Sequence, residues 1–259
     1  MDAAAAATLA AHVAELARTL ASRGPAPAAQ PGFGLESASG TSALLLDTLS
    51  GHGIFRKYER VLTLADALGG VGRWLALRRG CTALVVTADA TSAAGGAVLT
   101  RRAGLRRQVQ HLVAAADGLP IATDAVTHVW IVEQLPRVAD AGAVLREARR
   151  VLRPGGHLGV QDLVCTAAHP APLLAGWRFA EVAERVAQLR DAGFVDVDVR
   201  HAGAAACETS ALVTAARARL QAQLAGTAAG AAIAAERVAL GDAVRDGGLD
   251  VVQLVARNP

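Results

Sequence analysis

The chain is poor in several residue types, and each shortage closes off a class of protein. Aromatic residues make up 3% of its 259 positions, and Lys57 is its single lysine. Its arginines cluster, at Arg101, Arg102, Arg106 and Arg107 and again at Arg146, Arg149, Arg150 and Arg153, yet no aromatic side chain is interleaved to stack a base. With a net charge of only +3, these clusters read as solvated helix faces, and no nucleic-acid partner is expected. The three cysteines, Cys81, Cys165 and Cys207, are far apart and form no CxxC pair, which argues against a disulfide framework or a zinc site. Nowhere does an apolar run approach the roughly 18 residues that span a bilayer. The N-terminus carries Asp2 and lacks a basic flank, so no membrane partner is expected and the reading is a cytoplasmic protein. GxSxG is missing, which removes the usual serine-nucleophile signature, and the seven histidines show no metal-ligand spacing.

What the sequence has in quantity is small apolar residues in rhythm. Leu9, Val13, Leu16 and Leu20 make one stripe on a helix over 4–22, which Gly24, Pro25, Pro27 and Pro31 terminate. This arm, residues 1–58, is expected to act as a lid or as a homodimer contact. After residue 59 short apolar runs alternate with helical periods. Strands are expected at 61–64, 83–88, 109–113, 128–132, 158–164, 195–200 and 251–256, with 153–156 as a sharp turn before the fifth. Two alanine-rich helices over 208–245 interrupt the rhythm before the last strand. The fold class is therefore α/β: a Rossmann-like, seven-stranded, mostly parallel sheet covered by helices on both faces, the last strand antiparallel. It carries an N-terminal helical arm and a helical insertion.

The rhythm is organised around the first strand and its turn, RVLTLADALGGVGRWLA at 60–76. A strand, a small-residue turn and a helix start together form a nucleotide site, because the helix N-terminus presents unpaired N–H groups. Asp89 follows the second strand, where a carboxylate accepts both ribose hydroxyls. Asp117 follows the third, where it accepts from an exocyclic amine. Glu133 ends the fourth. A nicotinamide fingerprint is not met, since the third glycine of a GxGxxG starting at Gly70 is Leu75.

These runs resemble the class I S-adenosylmethionine-dependent methyltransferases of the small-molecule group, which includes the sarcosine/dimethylglycine and phosphoethanolamine enzymes. ADGLPIATDAVTHVW at 116–130 is similar to the family's Ala-Asp-Ala-x-x-Leu-Pro-Phe-x-Asp-x-x-Phe-Asp run. VLREARRVLRPGGHLGVQDLV at 144–164 matches its leucine–arginine–proline–glycine–glycine turn, and LRDAGFVDVDV at 189–199 its Ala-Gly-Phe helix end. The resemblance implies S-adenosyl-L-methionine as cofactor and methyl transfer to a small-molecule acceptor. It implies cofactor contacts from Ser39, Ala65, Ala67, Gly69, Asp89, Ala90, Asp117, Gly118 and Val132. Glu133 would be the catalytic group, and Arg137, where a histidine is common, a substrate contact.

The family reads Val-Leu-Asp-x-Gly-Cys-Gly-x-Gly-Gly at its first strand. Here the strand acid is Thr63, and the first two glycines are Ala65 and Ala67. A live site is expected to accommodate both alanines by a backbone moved to negative φ. A second reading stays open, in which the eroded turn marks a pseudo-methyltransferase: a binding or partner subunit, or a non-methylating use of the fold.

Overall fold

The central strands are apolar on both faces, and the tertiary structure shows why. In the computed structural model, which describes residues 44–51, 55, 59–66, 68–166, 174–202, 218, 222 and 228–259, they are sandwiched between helices. The elements run α1 (Leu44–Ser50), β1 (Arg60–Leu64), α2 (Gly70–Arg79), β2 (Thr82–Thr87), α3 (Ala90–Arg102), β3 (Val109–Val113) and β4 (Val126–Val132). A 3₁₀ turn (Leu135–Arg137), α4 (Ala141–Val151), β5 (Leu152–Cys165), α5 (Val182–Asp191), β6 (Val195–His201), α6 (Ala228–Arg245) and β7 (Leu249–Arg257) follow. Every residue of β4 is buried. Its odd and even side chains enter different cores, as a period of two dictates. Val129 and Ile131 pack with Leu62, Val144, Leu145 and Ala148 on the α4 face. Trp130 and Val132 pack with Val61, Val71, Trp74 and Leu75 on the α2 face. Each fully buried Leu or Val contributes roughly 1.5–3 kcal/mol of burial.

Strand order is β3-β2-β1-β4-β5-β7-β6. The first five strands are mutually parallel, and β7 runs antiparallel between β5 and β6. The sheet therefore has the expected class, with the last strand inserted between β5 and β6. The chain leaves β1 toward β2 and β3, then returns to the other side of β1 as β4. That reversal opens a crevice at the carboxyl ends of β1 and β4, where open α/β sheets bind ligands.

Two expectations are corrected here. The fifth strand starts earlier: Leu152 already pairs with Val126, and 153–156 is an excursion before pairing resumes at His128 with His157. Asn258 clasps the excursion from the far end of the chain, its N–H donating to Gly156 O (2.9 Å) and its Nδ2 to Leu152 O (2.7 Å). The fourth strand likewise opens at Val126 rather than at His128.

On the opposite side of β5, Arg185 of α5 donates from Nε to Asp162 Oδ2 at 2.6 Å, with both side chains buried. Burial pushes the Asp162 carboxyl up to about 6 against the pull of that guanidinium. Among the described residues no helix is long and apolar enough to cross a membrane. The arm helix over 4–22 and the first helix of the 208–245 insertion lie outside the described residues.

Candidate active site

The turn after β1 is held by backbone conformations that few side chains tolerate. Gly69 caps α2 at φ 78°, in the left-handed region. A Cβ there would stand 2.6 Å from His111 Cε1 and 3.3 Å from Val85 Cγ2, so the position requires glycine on two counts. Ala65 is also left-handed, at φ 55°. The expected shift to negative φ has not occurred at Ala65: the backbone is in the left-handed region that favours glycine and carries the methyl group regardless. Ala67 and Ser39 lie outside the described residues.

Left-handed alanine costs about 1–2 kcal/mol, whereas a glycine there adds about 0.4–1 kcal/mol of unfolded-state entropy. Ala65→Gly should therefore leave stability level or raise it by up to about 1.5 kcal/mol. Urea unfolding checks this, and a clear loss of stability would show that the methyl group is packed rather than strained.

Two buried charged side chains brace the turn, and the sequence reading assigned neither a role. Asp66 Oδ2 accepts from Thr63 Oγ1 and from the Gly72 amide, both at 3.1 Å. Burial raises its pKa, opposed by the Gly72 amide and the Arg73 guanidinium. Arg73, also buried, donates from Nη1 to Leu68 O at 2.5 Å. Beneath the turn His111 shares a 2.8 Å hydrogen bond with Thr100. Burial, then the nearby Arg73 charge, brings it down to about 4, so it is neutral at physiological pH. Its ring fills the space beside Gly69 and Gly96.

Asp89 stands at the end of β2 and caps α3. Its Oδ1 accepts from Thr91 N (3.3 Å) and its Oδ2 from Ser92 N (2.7 Å). The Ser92 hydroxyl and amide hold its carboxyl below the usual range. A carboxylate has about four acceptor sites, so the two amides and the Ser92 hydroxyl leave room for a further donor. Ala90, exposed, opens the helix beside it. Asp117 is exposed on the run after β3 and lines a cleft of about 210 Å³. The other walls are Ala65 and Thr87 at the strand ends, the alanines at 114–116, and residues 138–140. This slot of mostly small side chains, with Asp117 and Asp140 on its walls, suits a flat heteroaromatic ring carrying an amine. Gly118 is exposed next to Asp117, and a Cβ there would meet nothing within 4 Å. Val132 ends β4, buried in the α2-side core.

Glu133 follows Val132, buried and left-handed at φ 56°. For a non-glycine residue such a conformation costs about 1–3 kcal/mol and persists only where its surroundings fix it. Its N–H donates to Gln161 O (2.7 Å), and Gln161 Nε2 donates to its Oε1 (3.0 Å). Gln161 in turn accepts from Gln253, which also donates to Leu45 O. Sequence reading missed both glutamines, since polar residues within strands β5 and β7 carry no local signal. Arg137 sits on the 3₁₀ turn after β4 and is engaged: Nη1 meets Glu236 Oε1 of α6 at 3.3 Å. Its guanidinium lies 4.8 Å over the Trp177 ring, whose Nε1 donates to Glu236 Oε2. The structure thus brings Ala65 and Asp117 to one cleft with Asp89 flanking it, and puts Glu133 and Arg137 beyond β4.

A parallel sheet with a glycine turn and acids at successive strand ends defines a nucleotide-type cofactor site. The methyltransferase domain model matches residues 67–160. A ubiquinone/menaquinone biosynthesis C-methyltransferase of Acidiphilium cryptum is 31% identical over 176 residues, 60% of this chain and 69% of that protein. The methyltransferase GfsG of Streptomyces halstedii is 32% identical over 119 residues, 46% of this chain, which spans 40% of that relative's length. Among solved structures, the [4+2]-cyclase SpnF shares the fold at a TM-score of 0.71 and 24% identity, over 83% of this chain and 81% of that one. The chain belongs to the class I S-adenosylmethionine-dependent methyltransferases.

Proposed function

We propose that the protein binds S-adenosylmethionine across the turn at 65–72 and transfers its methyl group to a small-molecule acceptor. The observation that carries this reading is the alanine-lined cleft between Ala65, Thr87 and Asp117, with the Asp89 carboxylate at the adjoining strand end. Asp117 would take the adenine amine, Asp89 the ribose hydroxyls, and the backbone at Ala65, Ala67 and Gly69, with Ser39, the methionine end. Ala90, Gly118 and Val132 would complete the cofactor's walls. When bound, the cofactor supplies a methyl group on an electrophilic sulfonium. Such chemistry asks the protein mainly for alignment. Glu133, held by Gln161, orients the acceptor and takes the proton it loses. Arg137 would meet the acceptor's polar end. The arm over 1–58 and the insertion over 208–245 would close around it.

Titration with S-adenosylmethionine and S-adenosylhomocysteine tests the reading, with micromolar binding expected. Asp89→Ala removes charge-assisted bonds of roughly 1.5–3 kcal/mol each, and should weaken both ligands at least tenfold. Silence of the parent protein at millimolar concentrations would overturn the reading. Unchanged affinity in the variant would place the ligand elsewhere.

A further inference from the structure

The family pattern puts a carboxylate on the first strand at position 63, where this chain has Thr63. The structure nevertheless has a carboxylate at that spot. Asp66, three residues on, folds back so that its Oδ2 accepts from the Thr63 hydroxyl and from the Gly72 amide. Thr63 points at the same place, its Oγ1 lying 3.7 Å from where a Gly72 Cβ would stand. The Asp66 carbonyl also accepts from Gly69 N at 3.2 Å, so this one residue ties Gly69 as well as Gly72. We infer that Asp66 is the positioning residue of the cofactor turn, supplying from the loop the carboxylate that the family carries on the strand. This rests on the proposed cofactor reading.

Fold stability does not account for a carboxylate in this place. A carboxyl whose folded pKa is raised favours folding most when neutral, below its ordinary value of 3.8, and that contribution is lost as pH rises through the folded value. Charging Asp66 therefore costs the fold stability. What it provides is geometry: one carboxylate oxygen joins the Gly72 amide at the start of α2 to the Thr63 hydroxyl of β1. Arg73 ties the turn as well, through Leu68 O. A carboxylate placed at 63 would reach the same amide from the other side.

The test compares the parent, Asp66→Ala and the double variant Thr63→Asp/Asp66→Ala. The readouts are S-adenosylhomocysteine titration, thermal unfolding, and amide exchange of Gly72 in the unliganded proteins. Asp66→Ala is expected to bind tenfold or more weakly and to exchange Gly72 faster, while its melting temperature holds or rises. The double variant should recover affinity to within about threefold of the parent and slow the exchange again. Parent-like affinity in Asp66→Ala would overturn the inference. So would affinity and melting temperature falling together with neither recovered in the double variant. If Asp66→Ala does not fold, Asp66→Asn replaces it: this keeps one acceptor oxygen and removes the charge, and severalfold weaker binding is expected. Parent-like affinity there also overturns the inference. A parent that binds no S-adenosylhomocysteine defeats the cofactor reading, and Gly72 exchange then decides the role of Asp66 by itself.

Discussion

Arg185→Leu is expected to lower stability by about 3–5 kcal/mol, the cost of stranding a buried charge. Arg185 and Asp162 are 2% and 0% exposed, and Asp162 Oδ1 has no hydrogen-bond partner. The guanidinium is thus the main group offsetting burial of that carboxylate. Without it Asp162 meets the interior as an unpaired anion or must take up a proton. The pH dependence follows from the sign of the shift. Burial already holds the carboxyl up, at about 6 against an ordinary 3.8, and losing Arg185 pushes it higher. A raised folded pKa favours the folded state at low pH and ceases to do so as pH rises through it. The Arg185→Leu defect should accordingly be smaller at pH 5 than at pH 8. Adding Asp162→Leu removes the stranded charge and should return most of the lost stability, because apolar replacement of a buried pair is often neutral or better. Urea unfolding of both variants at the two pH values checks each statement. A single variant as stable as the parent would show that water reaches the pair.

The second large effect is expected at Gly69. Gly69→Ala adds a left-handed alanine, at about 1–2 kcal/mol, and a Cβ driven into a packed contact, at about 1–3 kcal/mol. The contact is the 2.6 Å approach to His111 Cε1. That ring has little room to retreat, because Thr100 holds its Nε2 and Gly96 lies against its other edge. Stability should fall by about 2–5 kcal/mol. Affinity for S-adenosylhomocysteine should fall a hundredfold or more, since any relaxation moves the backbone that would face the ligand. Pairing Gly69→Ala with His111→Ala separates the two causes. Removing the ring should recover the collision but not the dihedral strain, so stability returns in part. Full recovery would show that φ at this position is not the constraint.

The sequence by itself determined the order of elements and where the candidate site falls in that order. Strand and helix periods are local: the apolar run at 61–64 and the glycines at 69 and 70 announce themselves within a few residues. Each of the acids Asp89, Asp117 and Glu133 falls next to such a run. The tertiary structure decided what depends on partners distant in sequence. Ala65 stays left-handed in a turn that Asp66 ties twice, through its carboxylate to Gly72 N and through its carbonyl to Gly69 N. Glu133 is fixed by Gln161 and Gln253, 28 and 120 positions away (161 − 133 and 253 − 133), in a polar row across three strands. Arg137 is turned toward Glu236, 99 positions on. The excursion at 153–156 is held against the end of the chain by Asn258, about a hundred residues on. No local pattern encodes such contacts. Their geometry exists only once the sheet has ordered its strands, and burial then makes each polar group find its partner.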